Sequence, residues 1–156
     1  MAIYVTSDAH GHVRALDEAL SKISLTSDDT LYVLGDMTDR GPDPVGVIKL
    51  VRSLPNARVL KGNHEQIMLD AIIGQDPLDA ETWDINGGWT TREQLNDMEF
   101  EAYEELVRWA AALPLYAVVE TAERPYLLVH AGIQTEAARA FLLEHGVDCA
   151  DGVGAV

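Results

Sequence analysis

The chain has 156 residues, 47% of them apolar and 24% charged, which suits one globular domain able to bury about 70% of its unfolded surface. A formal charge of -15 repels phosphate backbones and anionic lipid, so neither nucleic acid nor a membrane is an expected partner. No apolar run reaches the roughly 18 residues a membrane span needs, and no basic leader precedes the first strand-like run. The single cysteine, Cys149, has no internal disulfide partner, so the expected compartment is a reducing one, the cytoplasm. Residues 1–75 carry 7 basic and 10 acidic groups, and residues 76–156 carry 4 and 16. The acidic second half reads as a solvated surface.

Ile3 to Ser7 reads as a buried strand, and Val13, Leu16, Leu20 and Ile23 recur at the spacing of an amphipathic helix. Asp28-Asp29 marks a turn before a second apolar strand, Thr30 to Leu34. Gly41-Pro-Asp-Pro44 then opens a helix carrying Val45, Ile48, Val51 and Leu54. Pro55-Asn56 closes it, Arg58 to Leu60 is a short third strand, and a helix from about Glu65 to Ile73 ends at Gly74. This β-α-β-α-β-α order, with strands apolar on both faces, demands a parallel sheet covered by helices and an α/β fold. In the second half, Pro77 to Gly88 reads as loop with at most one helical turn, and Glu101 to Ala112 reads as a helix. Leu115 to Val119 and Tyr126 to Val129 form an antiparallel hairpin, followed by a helix over Thr135 to Glu144. Residues 1–156 read as one domain, and 146–156, with three glycines, as a flexible tail.

Polar clusters follow the apolar runs: Asp8-Ala-His10-Gly11, Gly35-Asp36-Met-Thr-Asp39-Arg40-Gly41, Gly62-Asn63-His64-Glu65 and His130-Ala-Gly132. Ligands of parallel sheets bind beyond the carboxyl ends of strands, and the first three clusters sit there. Asp8 and His10 are two apart, so both can face one side, where a carboxylate oxygen and an imidazole nitrogen suit manganese, iron or zinc. The alternative is a plain Asp/His turn before a helix. On neighbouring strands Asp8 and Asp36 repel unless a dication is shared between them. Asn63 adds an amide oxygen. His130 by itself reads as a hydrogen-bonded core histidine or as one more ligand. Arg40 presents a planar fork for phosphate oxygens or pairs with Asp39 or Asp43. Glu65 reads as a helix-start charge or as an orienter of its neighbours.

The motif order resembles the calcineurin-like metallophosphoesterases over about residues 1–133. More narrowly it is similar to the phosphoprotein phosphatase branch with the bacterial and phage-lambda-type serine/threonine phosphatases, whose pattern Ile85-Asn-Gly-Gly-Trp89 also resembles. The resemblance implies a metallophosphoesterase-type β-sandwich flanked by helices and two divalent ions (manganese favoured, iron or zinc otherwise). Asp8, His10 and Asp36 would hold one ion and Asp36, Asn63 and His130 the other, with Asp36 bridging. A hydroxide shared by the ions would attack phosphorus in line. His64 would protonate the leaving oxygen, oriented by Asp39, while Arg40 and Asn63 bind the phosphoryl group.

The resemblance also implies one further second-metal histidine, in a Gly-His-Thr-type segment, and a second phosphate-binding arginine ahead of it, and neither is recognisable within these 156 residues. His145 is the remaining candidate ligand, though beside Gly146 it suits a helix cap, and His12 suits a solvent or substrate-edge role. The second sheet is therefore expected to be incomplete, with apolar surface on the hairpin open either to self-association or, if the chain is a piece of a longer protein, to the rest of that protein. The expected activity is hydrolysis of phosphoserine or phosphothreonine in proteins, or of small phosphoesters. The alternatives are a dinucleoside polyphosphate hydrolase and a non-catalytic metal-binding module.

Overall fold

The computed structural model describes residues 2–74, 76–132 and 135–144. His145 and the tail 146–156, with Cys149, lie outside the described residues, as do the expectations attached to them.

The three apolar runs become the parallel strands β1 (Ile3–Thr6), β2 (Thr30–Val33) and β3 (Ala57–Val59), in the order β1-β2-β3. Helices α1 (Val13–Ile23) and α2 (Pro44–Ser53) make the two crossovers. A sheet that grows in one direction by right-handed crossovers carries both helices on one face. The two helices accordingly pack on each other. Leu31, Tyr32 and Val33 of the central strand are buried, while β1 alternates, with Ile3 and Val5 on its exposed side. Under the helices lies the core of Leu31, Val33, Met37, Val47, Ile48, Val51 and Met68.

The helix starts follow cap chemistry. Asp43 accepts the Gly46 N–H at 2.8 Å, and Pro44 takes the first helical position, where its missing donor costs nothing. Helix α3 (Asn63–Ile73) begins two residues before the expected Glu65. In its first turn the His64 N–H is taken by Asp36 Oδ1 at 3.0 Å, so the helical turn reaches back to the strand tip.

The stretch 77–88 is a correction. It is not a loop but helix α4 (Pro77–Ile85), and α5 (Trp89–Asn96) follows directly. Asp76 caps α4 through the Leu78 N–H at 2.9 Å with Pro77 at its first position, a start signal outweighed in the sequence by a weak apolar period. Trp83 is the one α4 residue that is fully buried.

Helix α6 (Phe100–Ala111) leads to the antiparallel hairpin β4 (Tyr116–Glu120) and β5 (Pro125–Val129), and α7 spans Thr135–Glu144. The second sheet has these two strands among the described residues. Leu115 is 68% exposed and Tyr116 57%, so apolar surface is open at the start of the hairpin. Ile3, Val5, Val119, Tyr126 and Leu128 line one open apolar seam between β1 and the hairpin. No described helix is long and apolar enough to cross a membrane.

Candidate metal centre

The backbone ladder between β1 and β2 continues past both strands. The Asp8 N–H donates to Gly35 O at 3.1 Å, His10 N–H to Asp36 O at 2.9 Å and Gly11 N–H to Met37 O at 3.0 Å. The polar clusters are thus carried in fixed register. Asp8, His10, Asp36, Asp39 and Arg40 all have positive φ, between 39° and 70°, and Ser24 is the one other non-glycine residue so described. Left-handed backbone costs about 1–2 kcal/mol per residue, and five cases in one place mark a constrained site. Gly41 makes the close approach possible, since a Cβ there would meet His10 O at 1.9 Å.

Glu65 organises the β2–α3 junction. Fully buried, its Oε2 accepts the Asp36 and Gly62 N–H groups, each at 2.8 Å, and its Oε1 accepts Met37 N–H at 2.8 Å and Thr38 N–H at 3.2 Å. One carboxylate therefore ties the loop bearing Asp36 to the helix start bearing Asn63 and His64. The geometry displays both roles read for Glu65: it is the acidic residue in the first turn of α3, taking the N-cap Gly62 N–H, and it orients the loop that bears Asp36.

Asp36, 3% exposed, divides its oxygens between two sides. Its Oδ2 lies 3.5 Å from His10 Nε2, and its Oδ1 lies 3.3 Å from His130 Nε2. Asp8 Oδ1 is 4.0 Å from His10 Nε2, and Asn63 Oδ1 is 2.9 Å from His130 Nε2. Two ligands of one ion, each about 2.1 Å from it, stand at most about 4.2 Å apart, and all four pairs meet that limit. Two donor triads emerge, His10/Asp36/His64 and Asp8/Asp36/His130, with Asp36 common to both. Asp8 thus faces His130 as well as His10, and His64 lies within reach of the His10 side.

The imidazole tautomers fit metal ligation. His10 Nδ1 donates to Thr38 O at 2.8 Å and His130 Nδ1 to Leu34 O at 2.7 Å, so each neutral ring turns an Nε2 lone pair inward. At His130 that lone pair meets the Asn63 oxygen. Two acceptors 2.9 Å apart repel unless a proton or a cation lies between them, and the donor set suits a divalent ion with oxygen and imidazole preference.

His64 is 1% exposed, and its Nδ1–H donates to Asp39 Oδ2 at 2.7 Å. Arg40 donates through one guanidinium nitrogen to His64 Nε2 at 2.8 Å and through the other to His10 Nε2 at 3.1 Å. Neither Asp39 nor Asp43 pairs with it, so the surface salt bridge considered for Arg40 is absent among the described contacts. All the sequence-nominated residues converge here: Asp8, His10, Asp36, Asp39, Arg40, Asn63, His64 and His130. His12 is exposed at the start of α1. Missed by sequence reasoning were Trp83 and Thr91, which both contact Asp39, and Gly87, whose carbonyl accepts the Arg40 N–H at 3.1 Å. Trp83 was hidden in the stretch taken as loop, and nothing local marks a threonine as a partner of a residue 52 positions away.

Comparison with known proteins agrees with this geometry. The family model described as calcineurin-like phosphoesterase matches residues 1–149. A symmetrical bis(5'-nucleosyl)-tetraphosphatase of Erwinia tasmaniensis is 32% identical over 136 residues, covering 85% of this chain and 45% of that protein. Its namesake in Salmonella paratyphi C is 31% identical, covering 100% of this chain and 50% of its own length. The chain therefore spans about half the length of the relatives it matches. Among solved structures, a metallophosphoesterase from Sphaerobacter thermophilus superimposes with a TM-score of 0.52 at 26% identity, over 79% of this chain and 44% of that one. A protein serine/threonine phosphatase from Saccharomyces cerevisiae shares the fold, with a TM-score of 0.57 at 21% identity over 85% of this chain and 38% of that one. The chain belongs to the calcineurin-like phosphoesterase family.

Proposed function

We propose that this chain carries the hydrolytic centre of a metal-dependent phosphoesterase acting on dinucleoside polyphosphates. The observation that carries the reading is Asp36, whose two oxygens face two separate donor sets. The substrate class is supported by relatives 31–33% identical whose name is bis(5'-nucleosyl)-tetraphosphatase, symmetrical. They favour this class over the phosphoserine and phosphothreonine substrates expected from the motifs, for which the support is a likeness of fold alone.

Asp8, His10 and Asp36 are proposed to hold one divalent ion, and Asp36, Asn63 and His130 the other, manganese being the favoured metal. When bound, such a pair neutralises charge on the phosphoryl oxygens and acidifies a water. The chain's own groups do the rest. Arg40 turns its planar fork from the two imidazoles to the phosphoryl oxygens, and Asn63 offers its amide to the same group. His64, held through Nδ1 by Asp39, has its Nε2 freed once Arg40 turns to the phosphoryl oxygens; it takes up a proton there from solvent and delivers it to the leaving oxygen.

The test is hydrolysis of bis(5'-adenosyl) tetraphosphate with added manganese, following products by chromatography. Two nucleoside diphosphates are expected, with the rate lost in His64→Asn. Release of ATP and AMP refutes symmetrical cleavage. Equal inertness of wild type and variant favours a metal-binding module, and faster turnover of a phosphopeptide restores the protein-phosphatase reading.

A further inference from the structure

We propose that Trp83 and Thr91 are positioning residues for His64, acting through Asp39. The inference rests on His64 being the proton donor described above. Asp39 is fully buried, and its two oxygens are divided. Oδ2 takes the His64 Nδ1–H, while Oδ1 accepts the Trp83 Nε1–H at 2.9 Å and the Thr91 hydroxyl at 2.7 Å. The Thr91 oxygen also accepts the Asp39 N–H at 2.8 Å, so one hydroxyl clips the carboxylate to its own backbone.

The torsion that spins an aspartate carboxylate is soft and broad. Without partners on Oδ1 the carboxylate plane would turn, and the imidazole bonded to Oδ2 would turn with it. Two donors on Oδ1 fix that plane, and through it the direction of His64 Nε2. A core position asking only for bulk would take phenylalanine or valine, which need no partner when buried; an indole N–H and a hydroxyl cost free energy there unless bonded. Both donors aim at the same oxygen.

The rest of the segment agrees. Trp83 is 3% exposed on α4 and Thr91 0% exposed on α5, whereas Ile85 and Trp89 between them are 77% and 52% exposed. Gly88 lies so close to the Trp83 ring that a Cβ there would meet it at 2.1 Å. Gly87 O holds the Arg40 N–H. The α4–α5 turn thus braces the Asp39-Arg40 pair from behind.

In the step affected, a water oxygen forms the new bond to phosphorus and releases a proton to solvent. The electron pair of the broken P–O bond stays on the leaving oxygen, which takes the His64 Nε2 proton. The better the leaving group, the less this proton matters. Trp83→Phe and Thr91→Val keep bulk and remove the donors.

For an alkyl phosphate, whose leaving alkoxide is strongly basic, kcat is expected to fall about 10- to 100-fold, part of what a general acid supplies. For p-nitrophenyl phosphate and bis(5'-adenosyl) tetraphosphate, whose leaving phenolate and phosphate oxygens are weakly basic, the loss is expected to be at least tenfold smaller, with KM and the manganese dissociation constant unchanged. Thr91→Ser is expected to restore the rate. Independently of turnover, the His64 Nδ1–H proton resonance, identified by its loss in His64→Asn, is expected to shift or broaden in both variants. Equal losses on good and poor leaving groups, altered metal affinity, or an undisturbed Nδ1–H signal would overturn the proposal. A wild type that hydrolyses nothing, with the Nδ1–H signal still displaced in the variants, refutes the phosphoesterase reading and leaves the positioning geometry standing.

Discussion

Replacing Glu65 by glutamine removes one charge and turns one of two acceptor oxygens into a donor. Whichever oxygen is lost, two backbone N–H groups lose their partner: Asp36 and Gly62 on one side, Met37 and Thr38 on the other. Hydrogen bonds to a charged group contribute about 1.5–3 kcal/mol each, so the loss is roughly 3–6 kcal/mol. Two N–H groups then face an NH2 in a fully buried position, which only adds to the cost. That is a large share of the roughly 5–15 kcal/mol by which folded domains are stable. For a chain of this size it corresponds to a fall in Tm of about 6–24 °C. Urea unfolding of wild type and Glu65→Gln measures the loss directly, and manganese titration should show weaker binding, because Asp36 and Asn63 are no longer tied together. A variant within about 1 kcal/mol of wild type, far below two charged hydrogen bonds, would show that Glu65 does not hold these elements together.

Arg40 donates to both His10 Nε2 and His64 Nε2, so an ion and the guanidinium compete for the His10 lone pair. Arg40→Ala is expected to tighten manganese binding in calorimetry while raising KM for a phosphoester about tenfold or more. Looser manganese binding would contradict the competition. Asp29 offers a pH test away from the site. The Ala2 N–H, then the Thr26 hydroxyl and N–H, donate to its carboxylate and hold it below the usual carboxylate range. A depressed folded-state value contributes stability above the unfolded value of about 3.9, lost as pH falls through the folded one. The stability gap between wild type and Asp29→Asn, measured by urea unfolding, is therefore expected to be constant near neutrality and to close in the acid range. A gap unchanged down to the acid limit would refute the assignment.

The parallel sheet was legible because its strands are uninterrupted apolar runs closed by Ser-Asp, Gly-Asp or Gly-Asn, signals that need no tertiary information. The hairpin ends fall within a residue or two of expectation for the same reason. Segment 77–96 was not legible. Trp83 is the buried residue of α4, and α5 buries Thr90, Thr91 and Leu95, too few apolar residues for a helical period to stand out. The metal-facing residues could be nominated from type and position, but not the left-handed backbone that aims them. Asp and His accept such φ values more readily than most residues, and Arg40 at φ 65° gives no local warning at all. The motifs led to the family and stopped short of the substrate, since the ligand and phosphoryl-binding residues serve any phosphoester. What distinguishes a nucleotide from a phosphoprotein lies in surface the motifs do not include.

The hydrogen bonds joining Asp8, His10 and Gly11 to the 35–37 backbone make these stretches a prolongation of the strands rather than slack connections. A one-residue insertion there would slip every pairing beyond it and swing the carboxylates off their target. The turn at 121–124, closed by its own Thr121 hydroxyl, has no such hydrogen-bonded neighbour among the described residues and can lengthen with less disturbance. Anyone reshaping this protein's specificity by grafting loops should begin at that turn and leave the strand extensions at their native length.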